Sequence, residues 1–334
     1  MPQVTIVLPA YNIAPYLAAA LRSVRRQTFA DWELLLVDDG STDATPEIAA
    51  RHAAADERIR VLRSEHRGLL SALNLGLTAA QGELIARMDG DDLMHRDRLQ
   101  EQVAYLTAHP EVGVVGCLIR CFPRRVLREG MQRYEAWLNS LITHEDIVRD
   151  LFVEAPFAHP SVMLRRDVVE RVGGYQEHGW PEDYDLWMRL WLAGVRFGKV
   201  PRLLHFWRER EDRLTRTDRR YAVRQFRELK IHYLKQSFLR GRETVQLWGA
   251  GRGGKEWARH LERRGLKVTR YVDIDLRKIG NLVRGAAVIA PAELPRYRGE
   301  PLLVTVGVKG ARELIRERLT ELGWVEGQDY VCVA

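Results

Sequence analysis

The ten residues Glu83-Leu84-Ile85-Ala86-Arg87-Met88-Asp89-Gly90-Asp91-Asp92 restrict this chain more than any other stretch. A largely apolar run reads as a buried strand and stops in three carboxylates around one glycine. Side chains alternate along a strand, so Asp89 and Asp91 can leave its end on the same side. Carboxylates so placed repel each other unless a cation sits between them. A hard divalent ion that also holds phosphate oxygens is the natural occupant, since Mg²⁺ takes one or two carboxylates plus substrate phosphates. The plain alternative is a solvated acidic turn or a helix start, and an isolated Asp-x-Asp would be read that way.

The surrounding pattern favours the metal. Strands are expected at residues 4–9, 33–38, 58–62 and 84–88, and helices at 14–27, 44–54, 69–80 and 96–109. Pro15 falls in a first turn, where a missing N–H costs nothing, and Gly82 is read as the stop of the third helix. Strands alternating with helices imply a mostly parallel sheet with right-handed crossovers. Ligands of such sheets sit at the carboxyl ends of the strands, where Tyr11-Asn12, Asp38-Asp39 and Asp89 to Asp92 all fall. Farther on, a strand is expected at 112–122, mixed structure at 141–152, a short strand at 159–164 and a helix at 167–172. A further helix at 184–193 is opened by Pro181-Glu182-Asp183, and its stripe of Leu186, Trp187, Leu190 and Trp191 reads as core.

At 334 residues the chain has room for two domains, each with its own core. The expected division is 1–215, a basic amphipathic linker helix over 216–243, and a small α/β domain over 244–334. The linker helix carries Ala222, Phe226, Leu229 and Tyr233 on one face and stops at Gly241. The formal charge of +7 is concentrated between Arg202 and Arg242, where thirteen Lys/Arg face five Asp/Glu. No nucleic-acid module accompanies that charge, so a solvated helix is preferred, with peripheral contact to an anionic membrane left open. No apolar run approaches a membrane span, and Met1-Pro2-Gln3 leads directly into a strand. Cytoplasmic residence, with contact at the inner membrane face left open, is therefore expected. Cys117, Cys121 and Cys332 read as reduced, buried small hydrophobes.

From residue 244 the pattern restarts. A strand at 245–248 runs into Gly249-Ala250-Gly251-Arg252-Gly253-Gly254 and a helix, with Asp273 about twenty residues on. Gly249, Gly251, Gly254 and Asp273 thus mark a second pocket for a nucleotide or NAD, or else glycines that only pack helix against strand. Strands at 267–272 and 302–306 and a helix at 311–322 follow.

Taken together, Leu8-Pro9-Ala10-Tyr11-Asn12, Val37-Asp38-Asp39-Gly40-Ser41-Thr42-Asp43, Met88-Asp89-Gly90-Asp91-Asp92 and Glu182-Asp183-Tyr184-Asp185-Leu186-Trp187 resemble the family 2 glycosyltransferases. The resemblance spans about residues 3–210 and implies a GT-A fold. It also implies inverting transfer of a sugar, a UDP-sugar by preference, from a nucleotide diphosphate to a glycan or lipid-linked acceptor. Cell-surface polysaccharide synthesis is the process it suggests. Pro9, Ala10, Tyr11 and Asn12 would then line the base pocket, with Asp39 bonding the nucleobase, Asp38 beside it and Asp89 near the ribose. Asp91 would ligate Mg²⁺ or Mn²⁺ with Asp92 as helper, and Asp183 would be the general base. His159 and Glu182 are acceptor-side candidates, and Arg208 is a candidate cation for the diphosphate. The last 90 residues resemble the Rossmann-like domains found beside sugar-modifying enzymes. A sugar nucleotidyltransferase ranks lower, because Tyr11-Asn12-Ile13-Ala14-Pro15 is not a Gly-rich basic loop. A nucleotide-sensing module ranks third.

Overall fold

Apolar runs too short for helices and bounded by turns become the inner strands of a sheet covered on both faces. The computed structural model describes residues 1–334 and falls into two units. The first comprises Met1–Ile147, Pro156–His178 and Glu182–Thr217; the second comprises Val148–Ala155, Gly179–Pro181 and Asp218–Ala334.

Eight strands build the sheet of the first unit: β1 (Val4–Ala10), β2 (Trp32–Asp38), β3 (Ile59–Arg63), β4 (Leu84–Arg87), β5 (Leu93–Met94), β6 (Val112–Phe122), β7 (Met163–Arg165) and β8 (Arg196–Arg208). Their order is β3-β2-β1-β4-β7-β6-β8-β5. β3, β2, β1 and β4 run parallel, β7 is antiparallel to both its neighbours, and β6 and β8 are again parallel. Every residue of β2 is buried, as helices on both faces require. The core joins Ile6, Leu8, Leu17, Leu34, Leu36, Ala86, Met88 and Leu99.

Several expectations need correction. Gly82 does not stop the third helix, which spans Leu69–Ala79 and ends on an extended Ala80. A Cβ on Gly82 would lie 2.6 Å from the Thr5 nitrogen, so glycine is required there by the close approach of β1. Residues His159–Ser161 form a 3₁₀ turn rather than strand, because Pro160 has no N–H for a ladder, and only Met163–Arg165 pairs. The thirteen-residue β8 is absent from the sequence reading, since its buried Lys199 and His205 disguise a strand as polar. Lys199 is tolerated there because Nζ donates to the Leu138 carbonyl at 2.6 Å.

In the second unit the strands are β9 (Thr244–Trp248), β10 (Lys267–Val272), β11 (Leu282–Val283), β12 (Ala286–Ile289), β13 (Leu302–Val304) and β14 (Tyr330–Cys332). The order β11-β12-β10-β9-β13-β14, parallel except for β11, is doubly wound, with its direction changing between β9 and β13. The basic helix is shorter than the predicted one. Ala222 is exposed and extended, the α-helix runs Val223–Gln236, and it lies within the second unit. Lys230 on this helix is buried and donates to the Val153 and Val333 carbonyls at 2.7 and 3.2 Å.

Gly254 shows what the glycine loop does. Its Cβ would stand 1.8 Å from the Gly249 carbonyl oxygen, while Gly249 itself holds a φ of +116°. Gly254→Ala should therefore destabilise the protein by about 1–3 kcal/mol, the usual cost of overpacking, read as a lower unfolding midpoint. An unchanged midpoint would show that the helix start can shift freely. No helix is long and apolar enough to cross a membrane.

Candidate active site

The carboxyl ends of β1, β2 and β4 bring the predicted polar clusters to one rim. After β4 the chain turns through Asp89, Asp91 and Asp92, whose nearest ligand oxygens all lie within 4.8 Å of one another. Three hard oxygen donors at that separation suit Mg²⁺ or Mn²⁺, whose remaining positions would be left to water and phosphate.

The three carboxylates are not equivalent. Asp92 is buried; its Oδ2 lies 2.9 Å from His205 Nε2, and its Oδ1 accepts the Arg208 N–H at 2.7 Å. Burial first, and then the Asp89 charge, push its pKa well up. Asp91 meets Arg210 Nε at 3.1 Å, and burial with the Asp92 and Asp89 charges raises its pKa to about 7. Asp89 is the most open and pairs with Arg87 Nη1 at 2.7 Å. Asp91 and Asp89 are thus the freer carboxylates, and Asp92 anchors the turn.

These shifts would make metal binding proton-linked. A metal held by Asp91 would have to displace the proton that Asp91 retains up to about pH 7, so metal affinity should fall about tenfold per pH unit below 7. Titration calorimetry with Mn²⁺ between pH 5.5 and 8 reads this directly, and a flat profile would contradict it.

Behind the cluster lies a buried cationic network that the sequence reading missed. Arg98 is fully buried and reaches His205 Nδ1 (3.1 Å), Gln102 Oε1 (3.1 Å) and the carbonyls of Arg87 (2.9 Å) and Val162 (3.2 Å). Burial lowers its pKa to about 10, which leaves it charged. Arg87 is buried too; burial opposes its charge, but Asp89 and Glu182 help raise its pKa overall. An Arg and a Gln four apart on the inward face of a helix were the available signal for the first of these.

Asp183 and Glu182 lie in the first turn of the helix Glu182–Leu192, where free amide groups favour negative charge. Glu182 is buried and Asp183 half-buried, with Asp183 Oδ1 2.7 Å from the Tyr184 N–H. Burial raises the pKa of the Tyr175 phenol; the Arg87 charge opposes this, and the charges of Glu182, Asp183 and Asp89 add to it. Its backbone is gripped on both sides by Asn74, with the Tyr175 N–H donating to Oδ1 (3.0 Å) and Nδ2 donating to the carbonyl (2.8 Å). His159 is a buried partner of the Tyr175 hydroxyl at 2.7 Å, not an open acceptor-side group, and burial holds its pKa well below the usual value. Arg208 is likewise engaged, with Nε on the Asp91 carbonyl at 2.6 Å and its guanidinium over Tyr16 and Phe122.

At the ends of β1 and β2, Pro9 and Ala10 are strand residues, Tyr11 is exposed, and Asn12 takes a φ of +48°. Asn12 Oδ1 accepts the Thr42 N–H at 2.8 Å, which fixes the two turns together. Asp38 is completely buried, accepts the Ser41 N–H at 3.0 Å and pairs with Arg63 Nε at 3.2 Å, so it shapes the loop. Asp39 accepts the backbone N–H groups of Arg67 and Gly68, each at 2.9 Å.

The second rim is occupied by its own chain. Asp273 accepts from the Ala250 N–H at 2.9 Å, the Asp275 N–H at 3.0 Å and Lys278 Nζ at 3.0 Å. Gly249, Gly251 and Gly254 stand where β9 leads into the helix Arg252–Arg263; Gly249 is required by its positive φ and Gly254 by packing.

The profile of "Glycosyl transferase family 2" matches residues 5–173. "Putative glycosyltransferase EpsE" of Bacillus subtilis is 32% identical over 227 residues, covering 66% of this chain and 78% of that protein. The "Amylovoran biosynthesis glycosyltransferase AmsE" of Erwinia amylovora is 30% identical over 229 residues, covering 67% and 84%. Among solved structures, S. aureus TarS 1–349 in complex with UDP-GlcNAc superposes with a TM-score of 0.56 at 18% identity, over 70% of this chain and 66% of that one. Mannosyltransferase PcManGT from Pyrobaculum calidifontis, in complex with GDP-Man and Mn²⁺, gives 0.51 at 24% identity, over 70% and 62%. The first unit therefore has the fold of these enzymes, and the chain belongs to glycosyl transferase family 2.

Proposed function

We propose that the protein transfers a sugar, with inversion, from a nucleotide diphosphate to the hydroxyl of a glycan or lipid-linked acceptor. The observation that carries this reading is the acidic triad that follows β4 at the sheet rim. Asp91 and Asp89 would hold Mg²⁺ or Mn²⁺. When bound, that ion would offset the negative charge that builds on the departing diphosphate. Tyr11 supplies an aromatic face and Asp39 a hydrogen-bond acceptor for the base, with Pro9, Ala10 and Asn12 shaping the floor. Asp183 takes the proton of the attacking hydroxyl, and one such carboxylate suffices for a single in-line displacement. His159 and Glu182 brace this side through Tyr175 and Arg87.

The names of EpsE and AmsE favour polysaccharide assembly as the setting. The neighbours solved with UDP-GlcNAc and GDP-Man make uridine and guanosine donors the first to try. Residues 1–215 would be the transferase domain, 216–243 the link and 244–334 an accessory domain. A panel of UDP- and GDP-sugars with Mn²⁺, read as release of nucleoside diphosphate, tests the reading. Release from none of them, with or without oligosaccharide acceptors, would overturn it.

A further inference from the structure

The exposed face of Tyr11 is not free. The imidazole of His66 lies on it, with ring centroids 3.9 Å apart and planes 16° from parallel. The same imidazole places Nδ1 2.8 Å from Asp39 Oδ2. Facing a carboxylate oxygen, Nδ1 carries its hydrogen and donates it. A flat ring on Tyr11 that also gives an N–H to Asp39 makes the two contacts that a nucleobase with a ring N–H would make there.

We propose that His66 is a built-in competitor of the nucleobase, which occupies the base slot until the donor displaces it and so sets donor affinity. This rests on the assignment of Tyr11 and Asp39 to the base pocket. The local backbone supports displacement of the side chain rather than of the loop. Gly40 has a φ of +73°, and a Cβ there would stand 2.7 Å from the His66 nitrogen, so the two turns are packed backbone to backbone. Asp39 is also held by the Arg67 N–H on Oδ1 and the Gly68 N–H on Oδ2, and stays in place when the imidazole leaves. The His66 side chain is 53% exposed, so it can rotate into water with little loss of packing. Once it has gone, Asp39 Oδ2 has a lone pair for the incoming N–H.

The test is binding of UDP and CDP, with Mn²⁺, to the full-length protein and to His66→Ala, Asp39→Asn and Tyr11→Ala. Removing an aromatic stack should tighten UDP binding to His66→Ala about three- to tenfold, roughly 0.6–1.4 kcal/mol. In the wild-type protein the ring protons of His66 should lose the shielding of Tyr11 when UDP is added, read by NMR. Unchanged or weaker UDP binding to His66→Ala would overturn the proposal, since a ring that sandwiches the base would help rather than compete.

The underlying pocket assignment is read separately. It requires UDP to bind better than CDP, whose ring nitrogen has no hydrogen for Asp39, and requires Tyr11→Ala and Asp39→Asn to weaken UDP. If those variants leave UDP binding unchanged, or UDP does not bind, the pocket and the competitor fall together. If they weaken it while His66→Ala does not tighten it, only the competitor falls.

Discussion

Asp183→Asn should lower kcat by roughly 10²- to 10⁴-fold, the range for removing a positioned general base, while leaving the dissociation constant for UDP nearly unchanged. The two readouts separate because Asp183 lies with Glu182 in the first turn of the helix Glu182–Leu192, whereas the groups proposed to bind the base lie at the ends of β1 and β2. Asparagine keeps the size and can still accept the Tyr184 N–H, so the helix start should survive. What it cannot do is accept a proton. A helix start retained by circular dichroism, UDP affinity intact and turnover lost would fit a base that acts only on the acceptor. Turnover within about threefold of wild type would leave the acceptor hydroxyl without a base at this position. Glu182 offers an internal comparison. It is buried beside the charge of Arg87, so Glu182→Gln should act mainly through folding stability.

Much of the first unit was legible because β1 to β4 are runs of four to seven residues separated by amphipathic helices. The periods of strand and helix there differ enough to be told apart. β6 could be placed at residues 112–122 for the same reason. What stayed hidden was polar structure inside the fold. β8 contains Lys199 and His205, each buried and each satisfied by a partner far away in sequence: the Leu138 carbonyl for one, Asp92 and Arg98 for the other. Spacing along the chain carries no information about such partners. Asp38 and Asp39 illustrate the same limit within the site. They are adjacent and chemically identical, yet one is buried at the end of β2 and the other faces His66. Only the direction of each side chain distinguishes them. The family resemblance made His159 an acceptor-side candidate, and the 3₁₀ turn buries it against the Tyr175 hydroxyl.

The buried network behind the triad explains how three carboxylates tolerate one another. Arg98 and Arg87 place two guanidinium groups in the interior, tied to backbone carbonyls and to His205 or Asp89, so the acidic turn is partly neutralised from behind. Compensation is incomplete, and the raised pKa of Asp91 is its signature. A site left short of positive charge is one that gains most from a cation arriving with the substrate.

Asp91→Asn should therefore move activity and stability in opposite directions. Without Asp91 the stabilisation that a bound ion supplies, several kcal/mol in the transition state, is largely forfeited. Release of nucleoside diphosphate should fall by about 10²- to 10³-fold, and Mn²⁺ binding should weaken in parallel. Stability without metal should rise, and the sign follows from proton binding. The folded carboxyl keeps its proton up to about pH 7, whereas the unfolded one loses it near the ordinary value of 3.8. Between those values the folded state binds more protons than the unfolded state, so stability falls as pH rises through that window and stays low above it. Asparagine cannot ionise and escapes that loss. Part of the wild-type cost is offset by Arg210, 3.1 Å from the carboxylate, whose partner the variant removes. A net gain of about 1–2 kcal/mol at pH 8 remains, equivalent to roughly 3–6 °C in the unfolding midpoint. The gain should vanish near pH 4, where the native carboxyl is neutral in the folded state, and saturating Mn²⁺ should reverse the ranking by stabilising only the wild-type protein. Thermal melts of both proteins at pH 4 and pH 8, with chelator and with Mn²⁺, give the four comparisons. A variant less stable than wild type in chelator at pH 8 would mean that Asp91 is held by its ion pair with Arg210 and is not strained towards an absent cation.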